Sequence, residues 1–128
     1  MTEVGGVRTL GAMELTVEFG FSAAHHLREA DSRCRTVHGH NYKLRVTIDG
    51  PVRPADGMVV DFHELDDLVA ERVVGRLHNA DLNELMDCPT AERLVEWIAE
   101  QLAEPLPLLA VLELYETPRY CVTWRRDP

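Results

Sequence analysis

The sequence predicts an α+β domain with the element order ββααββ, and the alternation of apolar with polar residues is the first observation behind it. Residues 13–19 and 42–48 alternate strictly, which is the period-two pattern of a strand with one buried face. Apolar, strand-like segments return at 108–115 and 119–124. We therefore predict two strands near the start of the domain and two at its end.

Helical periodicity between the two pairs of strands is the second observation. Asp61 and Thr90 are residue types that accept hydrogen bonds at the start of a helix, and each precedes a segment with apolar residues three or four positions apart. The predicted buried positions are Phe62, Leu65, Val69, Val73 and Leu77 in the first helix, and Leu94, Trp97, Ile98 and Leu102 in the second. Both segments are therefore predicted to be amphipathic helices.

Such elements form an antiparallel sheet with the two helices on one face. The alternating polar residues leave the opposite face without a partner in a single chain. Joining the sheets of several subunits into a barrel would cover that face and pair the free sheet edges. The sequence therefore indicates a homo-oligomer.

The length of the chain fits one domain. We assign residues 13–128 to this domain and residues 1–12 to a flexible N-terminal extension, because 128 residues suffice for one core. The extension lacks the basic start and apolar stretch of a secretory signal, and no apolar run reaches the roughly 20 residues that span a bilayer. The cysteines Cys34, Cys88 and Cys121 cannot all pair with one another, which favours free thiols. We expect a cytoplasmic protein.

The formal net charge of −9 argues against binding to nucleic acid or to an anionic membrane, because both require clustered positive charge. It does not exclude an anionic small molecule, since a few local charges or a metal ion govern a pocket. We therefore expect a small-molecule substrate, with neither nucleic acid nor membrane as a partner.

A pair of histidines two residues apart suggests a metal site. On an extended strand, His38 and His40 project from the same face, about 6–7 Å apart along the chain. That spacing suits two ligands of a tetrahedral zinc ion, and His25 at the end of the first strand can supply a third. Three protein ligands and one open position are typical of catalytic zinc, although an isolated His-Gly-His is more often a turn with solvated histidines.

His25 has a competitor in its neighbour. Adjacent strand residues face opposite sides of a sheet, so only one of His25 and His26 can join the cluster. Continuing the register of the first strand through Phe21 and Ala23 places His25 on the inward face. We therefore predict His25, His38 and His40 as the ligands and His26 as a surface histidine.

Five segments together identify the chain as a member of the 6-pyruvoyl-tetrahydropterin synthase and 6-carboxy-tetrahydropterin synthase family. They are FSAAHHL at 21–27, CRTVHGHNY at 34–42, GMVVDFHEL at 57–65, PTAE at 89–92 and LYET at 114–117. The resemblance runs from about Met13 to Tyr120. It implies the tunnelling fold, in which subunits assemble into barrels, as a hexamer or a similar homo-oligomer with active sites between neighbours.

The resemblance also implies the substrate and its ligands. In this family, zinc held by the three histidines binds the side-chain hydroxyls of 7,8-dihydroneopterin triphosphate, and a buried glutamate that matches Glu116 anchors the pterin ring. An ionised carboxylate suits that task because the ring presents adjacent N–H donors. Thr90 and Glu92 match the neighbouring pterin-side motif, although both are also explained by helix capping. Cys34 matches the catalytic cysteine, whose thiolate removes a substrate proton.

The sequence departs from the family at one catalytic position. Members usually carry an Asp-His pair, and an ungapped alignment places His78 and Asn79 at these two positions. An amide does not titrate near neutral pH, so Asn79 cannot act as acid or base. His78 can restore the proton relay if a local shift turns it into the site, with Asp81 as the residue that orients it.

The leading hypothesis is a zinc-dependent lyase that forms 6-carboxy-5,6,7,8-tetrahydropterin for the queuosine and deazapurine pathway. The alternatives are triphosphate elimination to 6-pyruvoyl-tetrahydropterin, and a diverged homologue that binds pterin with altered or lost lyase activity. A purely structural zinc protein is a further reading, but it gives no reason for Cys34 and Glu116 to accompany the histidines.

Overall fold

A computed structural model describes residues 2–4, 7–9, 11–28 and 32–128 of the chain. Its strands are β1 (Thr2–Val4), β2 (Val7–Thr9), β3 (Met13–His25), β4 (His38–Gly50), β5 (Ala80–Asp81), β6 (Leu109–Thr117) and β7 (Tyr120–Arg125). Its helices are α1 (Ser32–Arg35), α2 (Phe62–Val69), α3 (Gly75–Leu77), α4 (Leu82–Leu85) and α5 (Ala91–Leu102), with a π-helical turn at Ala70–Val74. The predicted α+β class and the order of its six main elements are confirmed.

The main sheet has five strands in the order β5-β3-β4-β6-β7. β3 and β4 form its longest ladder, which runs antiparallel from Met13 opposite Gly50 to His25 opposite His38. The prediction of an entirely antiparallel sheet is wrong at one edge, because β5 pairs parallel with β3. β1 and β2 form a separate two-stranded antiparallel sheet inside the predicted N-terminal extension.

The first predicted helix is interrupted. Four of its predicted inward residues are buried, namely Leu65, Val69, Val73 and Leu77, and each follows the last by four positions. In a regular α-helix, steps of four drift about 40° around the axis each time. The wider π-helical turn offsets this drift and returns Val73 and Leu77 to the core. Phe62 was wrongly predicted as buried, because it begins α2 and is 53% exposed.

The core lies between α2, α5 and one face of the sheet. Asp61 and Thr90 cap the two helices as predicted, since their side chains accept hydrogen bonds from the backbone N–H groups of His63 and Arg93. From α5, the core receives Leu94, Ile98 and Leu102, which are fully buried, and Trp97, which is partly buried at its margin.

The opposite face of the sheet is polar. Glu18 on β3 lies near Lys43 and Arg45 on β4, and Arg45 also approaches Glu113 on β6. The pairs made by Glu18 are largely exposed and add little stability, whereas the Arg45–Glu113 pair is half-buried. Within the described part of the chain, no helix is long and apolar enough to cross a membrane.

Candidate metal centre

Three histidines converge at the end of the β3–β4 ladder. His25 lies directly opposite His38, and His40 follows two residues later on the same face of β4. The ring centroids of His25 lie 4.6 Å from His38 and 5.0 Å from His40, and those of His38 and His40 are 4.9 Å apart. One potential ligand atom from each residue lies within 4.8 Å of the other two. The predicted convergence of these side chains is therefore present.

Hydrogen bonds to backbone carbonyls fix two of the three rings. Nδ1 of His25 lies 2.8 Å from the carbonyl oxygen of Pro89, and Nδ1 of His38 lies 2.7 Å from that of Thr36. A carbonyl only accepts, so in both rings Nδ1 carries the hydrogen and Nε2 keeps its lone pair. This carbonyl-to-imidazole arrangement is how proteins orient histidine ligands.

Buried nitrogen atoms without partners give a second indication of a metal site. His25 is fully buried, and its Nε2 makes no hydrogen bond. An unsatisfied buried polar atom costs about 1–3 kcal/mol, so a native structure usually provides it with a partner. Nε2 of His25 is therefore available to a ligand that the protein does not itself supply.

The donor set fits a zinc ion. Neutral imidazole nitrogens are common zinc ligands, with bonds of about 2.0–2.1 Å, and the three candidate ligand atoms lie within 4.8 Å of one another. Among the residues that the structure describes, no fourth histidine, cysteine or carboxylate lies within the same distance of all three. The cluster therefore has the three-ligand composition of an open site.

His26 lies outside the cluster. Its side chain is only partly buried, and the alternation of β3 directs it away from His25. Its backbone is held by Asn83, whose side-chain oxygen accepts from the His26 N–H at 2.9 Å and whose side-chain nitrogen donates to the His26 carbonyl at 3.1 Å. Sequence reasoning gave no role to Asn83.

Glu116 lies at the edge of the histidine cluster. Its Oε1 lies 3.0 Å from Nε2 of His40. The two atoms are not aligned for a hydrogen bond, so the contact is electrostatic. Burial lowers the pKa of His40, Glu116 opposes that shift, and the neighbouring histidines add to it. The net lowering favours the neutral imidazole that binds metals. The Glu116 side chain is 23% exposed and so is less buried than predicted.

Tyr42 is a polar neighbour that sequence reasoning assigned only to the strand pattern. Its ring stacks on Phe21 and meets the edge of His40, with centroids 5.6 Å apart in the second contact. The residue is 2% exposed, and its hydroxyl has no hydrogen-bond partner. Burial, and secondly the charge of Glu116, raise the pKa of Tyr42, so the hydroxyl keeps its proton.

Cys34 lies on α1, in the connection between the two strands that carry the histidines. It is partly buried, and its carbonyl accepts a hydrogen bond of 2.7 Å from the N–H of Leu27, just beyond the end of β3. This bond joins the two ends of the connection between β3 and β4. Cys88, in the connection between α4 and α5, and Cys121, on β7, are exposed free thiols.

His78 and Asn79 contact the edge of β3 that does not pair with β4. The N–H of Ser22 donates to Nδ1 of His78 at 3.1 Å, and the N–H of Asn79 donates to the Ser22 carbonyl at 2.6 Å. Nδ1 of His78 is therefore an acceptor, and in the neutral ring Nε2 carries the hydrogen. Asn79 has a φ of 62°, a left-handed conformation that asparagine tolerates better than most residues.

Asp81 has a different partner from the one predicted. Its carboxylate accepts from the N–H of Asn83 at 3.1 Å and so caps α4. The ring of His78 is oriented by Ser22 rather than by this carboxylate. No contact in this structure therefore supports a role for Asp81 in positioning His78.

The predicted pterin-side residues begin α5. The Thr90 hydroxyl accepts from the N–H of Arg93 at 3.2 Å, and Glu92 is exposed in the first helical turn. Both positions carry the capping roles that their residue types favour. Their contacts with a ligand remain predictions.

A groove of about 320 Å³ lies beside the cluster. It is lined by Ser22, Ala24, His40, Asn41, Asn79 and Ala80, among others. Ser22, Ala24 and Asn41 alternate with the cluster residues His25 and His40 along β3 and β4, so most of this lining belongs to the face of the sheet opposite the histidine cluster.

Fold and site define a class: a small α+β protein whose paired strands assemble a candidate three-histidine metal centre next to a carboxylate. The family model for 6-pyruvoyl tetrahydropterin synthase matches residues 14–127. The chain therefore belongs to the 6-pyruvoyl tetrahydropterin synthase family, whose members are pterin-processing enzymes.

Similar proteins within this family carry different names. A Synechocystis protein named 6-carboxy-5,6,7,8-tetrahydropterin synthase is 34% identical over 107 residues, covering 78% of this chain and 83% of its own. The human 6-pyruvoyl tetrahydrobiopterin synthase is 30% identical, covering 99% and 100%. A Pyrococcus furiosus protein named dihydroneopterin monophosphate aldolase is 36% identical, covering 68% and 72%. Family membership therefore leaves the reaction to be assigned.

The fold also matches a solved structure. The 6-pyruvoyl tetrahydropterin synthase of Caenorhabditis elegans superposes with a TM-score of 0.84 at 23% identity, covering 94% of this chain and all of that one. At this level of identity the comparison establishes the fold alone.

Proposed function

We propose that this protein is a zinc-dependent lyase that converts 7,8-dihydroneopterin triphosphate to 6-carboxy-5,6,7,8-tetrahydropterin. The observation that carries the proposal is the contact of 3.0 Å between Glu116 and His40. It brings the proposed anchor of the pterin ring next to the proposed metal ligands. One small substrate can then be held at its ring and at its side chain together.

The proposed metal ligands are His25, His38 and His40. A zinc ion bound there would supply a Lewis acid that withdraws electron density from the oxygens of the substrate side chain. The chain's own contribution is to present neutral, oriented imidazoles, which the carbonyls of Pro89 and Thr36 support.

Two further residues have proposed roles in binding and proton transfer. The Glu116 carboxylate accepts hydrogen bonds from the 2-amino group and a ring N–H of the pterin, with Thr90 and Glu92 contributing at the start of α5. The Cys34 thiolate takes a proton from a side-chain carbon of the substrate. The placement of Cys34 between β3 and β4 supports this role, because the same two strands carry the histidines.

His78 is the proposed proton donor in place of the missing histidine. Its Nδ1 accepts from Ser22, so the proton available for transfer is on Nε2. The side chain is exposed, which leaves that atom free to reach a ligand. Asn79 contributes a hydrogen-bonding amide but no titrating proton.

The proposed assembly is the tunnelling-fold barrel, built from several copies of this chain in the cytoplasm. Two features support it. In the described residues, β7 pairs on one side only, and β5 covers just the end of β3 at Ala23 and Ala24. The polar face of the sheet, with its charged pairs around Arg45, would then line the inside of the barrel.

Product analysis tests the proposal. Zinc-loaded protein incubated with 7,8-dihydroneopterin triphosphate is expected to release acetaldehyde and form the 6-carboxy product of the queuosine pathway. Formation of 6-pyruvoyl-tetrahydropterin without acetaldehyde would assign the elimination reaction instead. Tight pterin binding without turnover would assign a diverged binding protein, and 7,8-dihydroneopterin monophosphate as a second substrate tests the reaction named for the Pyrococcus furiosus relative.

A further inference from the structure

The outer edge of β3 loses its strand partner just before the candidate metal centre. β5 pairs with β3 only at Ala23 and Ala24, opposite Ala80 and Asp81. The chain then turns into α4, so in the described part of the chain no strand continues alongside His25 and His26 on this edge. Unpaired backbone groups there would leave the end of the strand free to fray.

The side chain of Asn83 replaces the missing strand. Its Oδ1 accepts from the His26 N–H at 2.9 Å, and its Nδ2 donates to the His26 carbonyl at 3.1 Å. A carboxamide carries the same donor and acceptor as a peptide group, so this pair of bonds imitates one more rung of the ladder. Both bonds are partly buried, which increases the cost of losing them.

α4 places this amide through its own capping bond. The Asp81 carboxylate accepts from the backbone N–H of Asn83 at 3.1 Å. Asp81 is also the last residue of β5, so the helix begins directly where the ladder ends. The amide is therefore held in register with β3.

We propose that Asn83 is a positioning residue for the metal centre, acting on His25 through the backbone of His26. His25 is then restrained on three sides, by β4 opposite His38, by the Pro89 carbonyl on its ring, and by Asn83 on the following residue. This inference depends on the proposed function in one respect, namely that His25 binds a metal. Asn83 itself touches neither metal nor substrate.

Zinc affinity of the purified full chain tests this role. The Kd is measured by competition with a chromogenic chelator for wild type, Asn83→Ala and Asn83→Asp, with Glu84→Ala as the matched control because Glu84 is exposed on the same short helix. Loss of a residue that orients a metal ligand typically weakens metal binding about 10–100-fold. We expect that range for Asn83→Ala, a smaller loss for Asn83→Asp, which keeps only the acceptor, and no change for Glu84→Ala.

Two further readouts separate positioning from general stability. The absorption spectrum of the cobalt-substituted protein reports ligand geometry, and hydrogen exchange reports the protection of the His26 amide. Asn83→Ala is expected to change the spectrum and to speed exchange at His26. A Kd within twofold of wild type, or an unaltered cobalt spectrum, would overturn the inference.

The outcomes distinguish this inference from the proposed function. Absence of metal binding by the wild-type chain would refute the metal centre itself and, with it, any positioning role. Wild-type binding with unchanged affinity in Asn83→Ala would refute only the role of Asn83. Should Asn83→Ala fail to fold, the zinc affinity of Asn83→Asp tests the inference instead. Binding at least threefold weaker than that of wild type would support the positioning role, and unchanged binding would refute it.

Discussion

His25 and His38 form a directly opposed pair in the β3–β4 ladder, with their ring centroids 4.6 Å apart. Each directs its Nδ1 to a carbonyl outside the ladder, Pro89 for one ring and Thr36 for the other. Strand pairing thus sets the distance between the two rings, while the two carbonyls set which nitrogen faces inward. Sequence periodicity can predict the first of these relationships but not the second.

Replacing His25 is expected to abolish stoichiometric zinc binding. His25→Ala removes a fully buried imidazole and leaves two of the proposed ligands in place. Metal analysis after dialysis should find about one zinc per wild-type chain and almost none in the variant, with circular dichroism to confirm folding. His26→Ala is the matched control, since the neighbouring ring lies outside the cluster. Equal zinc content in His25→Ala and wild type would contradict the ligand assignment.

Replacing Cys34 is expected to remove turnover but not zinc. Proton transfer by a positioned side chain typically contributes about 10²–10⁴-fold to a rate, so Cys34→Ala should lose turnover of dihydroneopterin triphosphate within that range. Zinc content should stay at the wild-type level because the three histidines are untouched. Cys121→Ala, which removes an exposed thiol on β7, is the control. A turnover number close to that of wild type in Cys34→Ala would exclude the thiolate as the base.

Replacing His78 tests whether this residue has taken over the proton relay. His78→Ala is expected to lower turnover by about 10²-fold or more while zinc and pterin binding persist. His63→Ala is the control, because the His63 side chain is 96% exposed on α2. Undiminished turnover in His78→Ala would eliminate the relay through this residue and leave the step to another group.

Local patterns predicted those parts of the fold that depend on sequence neighbours. Alternation located β3 and β4, and continuing its parity past Phe21 placed His25 rather than His26 in the cluster. Both observations rest on the period-two geometry of a strand, which holds wherever one face is buried. Capping by Asp61 and Thr90 is equally local and was predicted correctly.

Features set by contacts distant in sequence gave no such signal. β5 is two residues long and exists only because Ala80 and Asp81 pair with β3, more than 50 positions away. Pro89 orients His25 through its carbonyl oxygen, a group that every residue carries and that no motif distinguishes. The role of Asn83 likewise appears only when α4 is placed beside β3. The histidine cluster was therefore predictable, but the groups that orient its rings were not.

Neutralising Glu116 is expected to weaken pterin binding without removing zinc. Glu116→Gln replaces one acceptor of the proposed carboxylate pair with a donor, and charge-assisted hydrogen bonds contribute about 1.5–3 kcal/mol, or roughly 10–150-fold in Kd. Quenching of pterin fluorescence measures the change. Glu113→Gln, on the same strand but facing Arg45, is the control. Unchanged affinity in Glu116→Gln would place the pterin ring elsewhere.

Arg126 is expected to stabilise the whole domain from its C-terminal end. Its guanidinium donates to four backbone carbonyls, those of Ala103, Leu106, Pro107 and Leu109, at distances from 2.9 to 3.4 Å. These carbonyls lie between the end of α5 and the start of β6. One side chain therefore provides hydrogen bonds to carbonyl oxygens that would otherwise bond to water. Arg126→Ala should lower the free energy of unfolding by about 1.5–3 kcal/mol, measured by urea denaturation.

Two controls test the reason for that loss. Arg125→Ala changes the exposed neighbouring residue and should alter stability by no more than about 0.5 kcal/mol. Arg126→Lys keeps the charge but loses the planar group that reaches several carbonyls at once, so it should recover little of the loss. If Arg126→Lys had the stability of wild type, positive charge alone, rather than the hydrogen bonds to four carbonyls, would stabilise the end of α5.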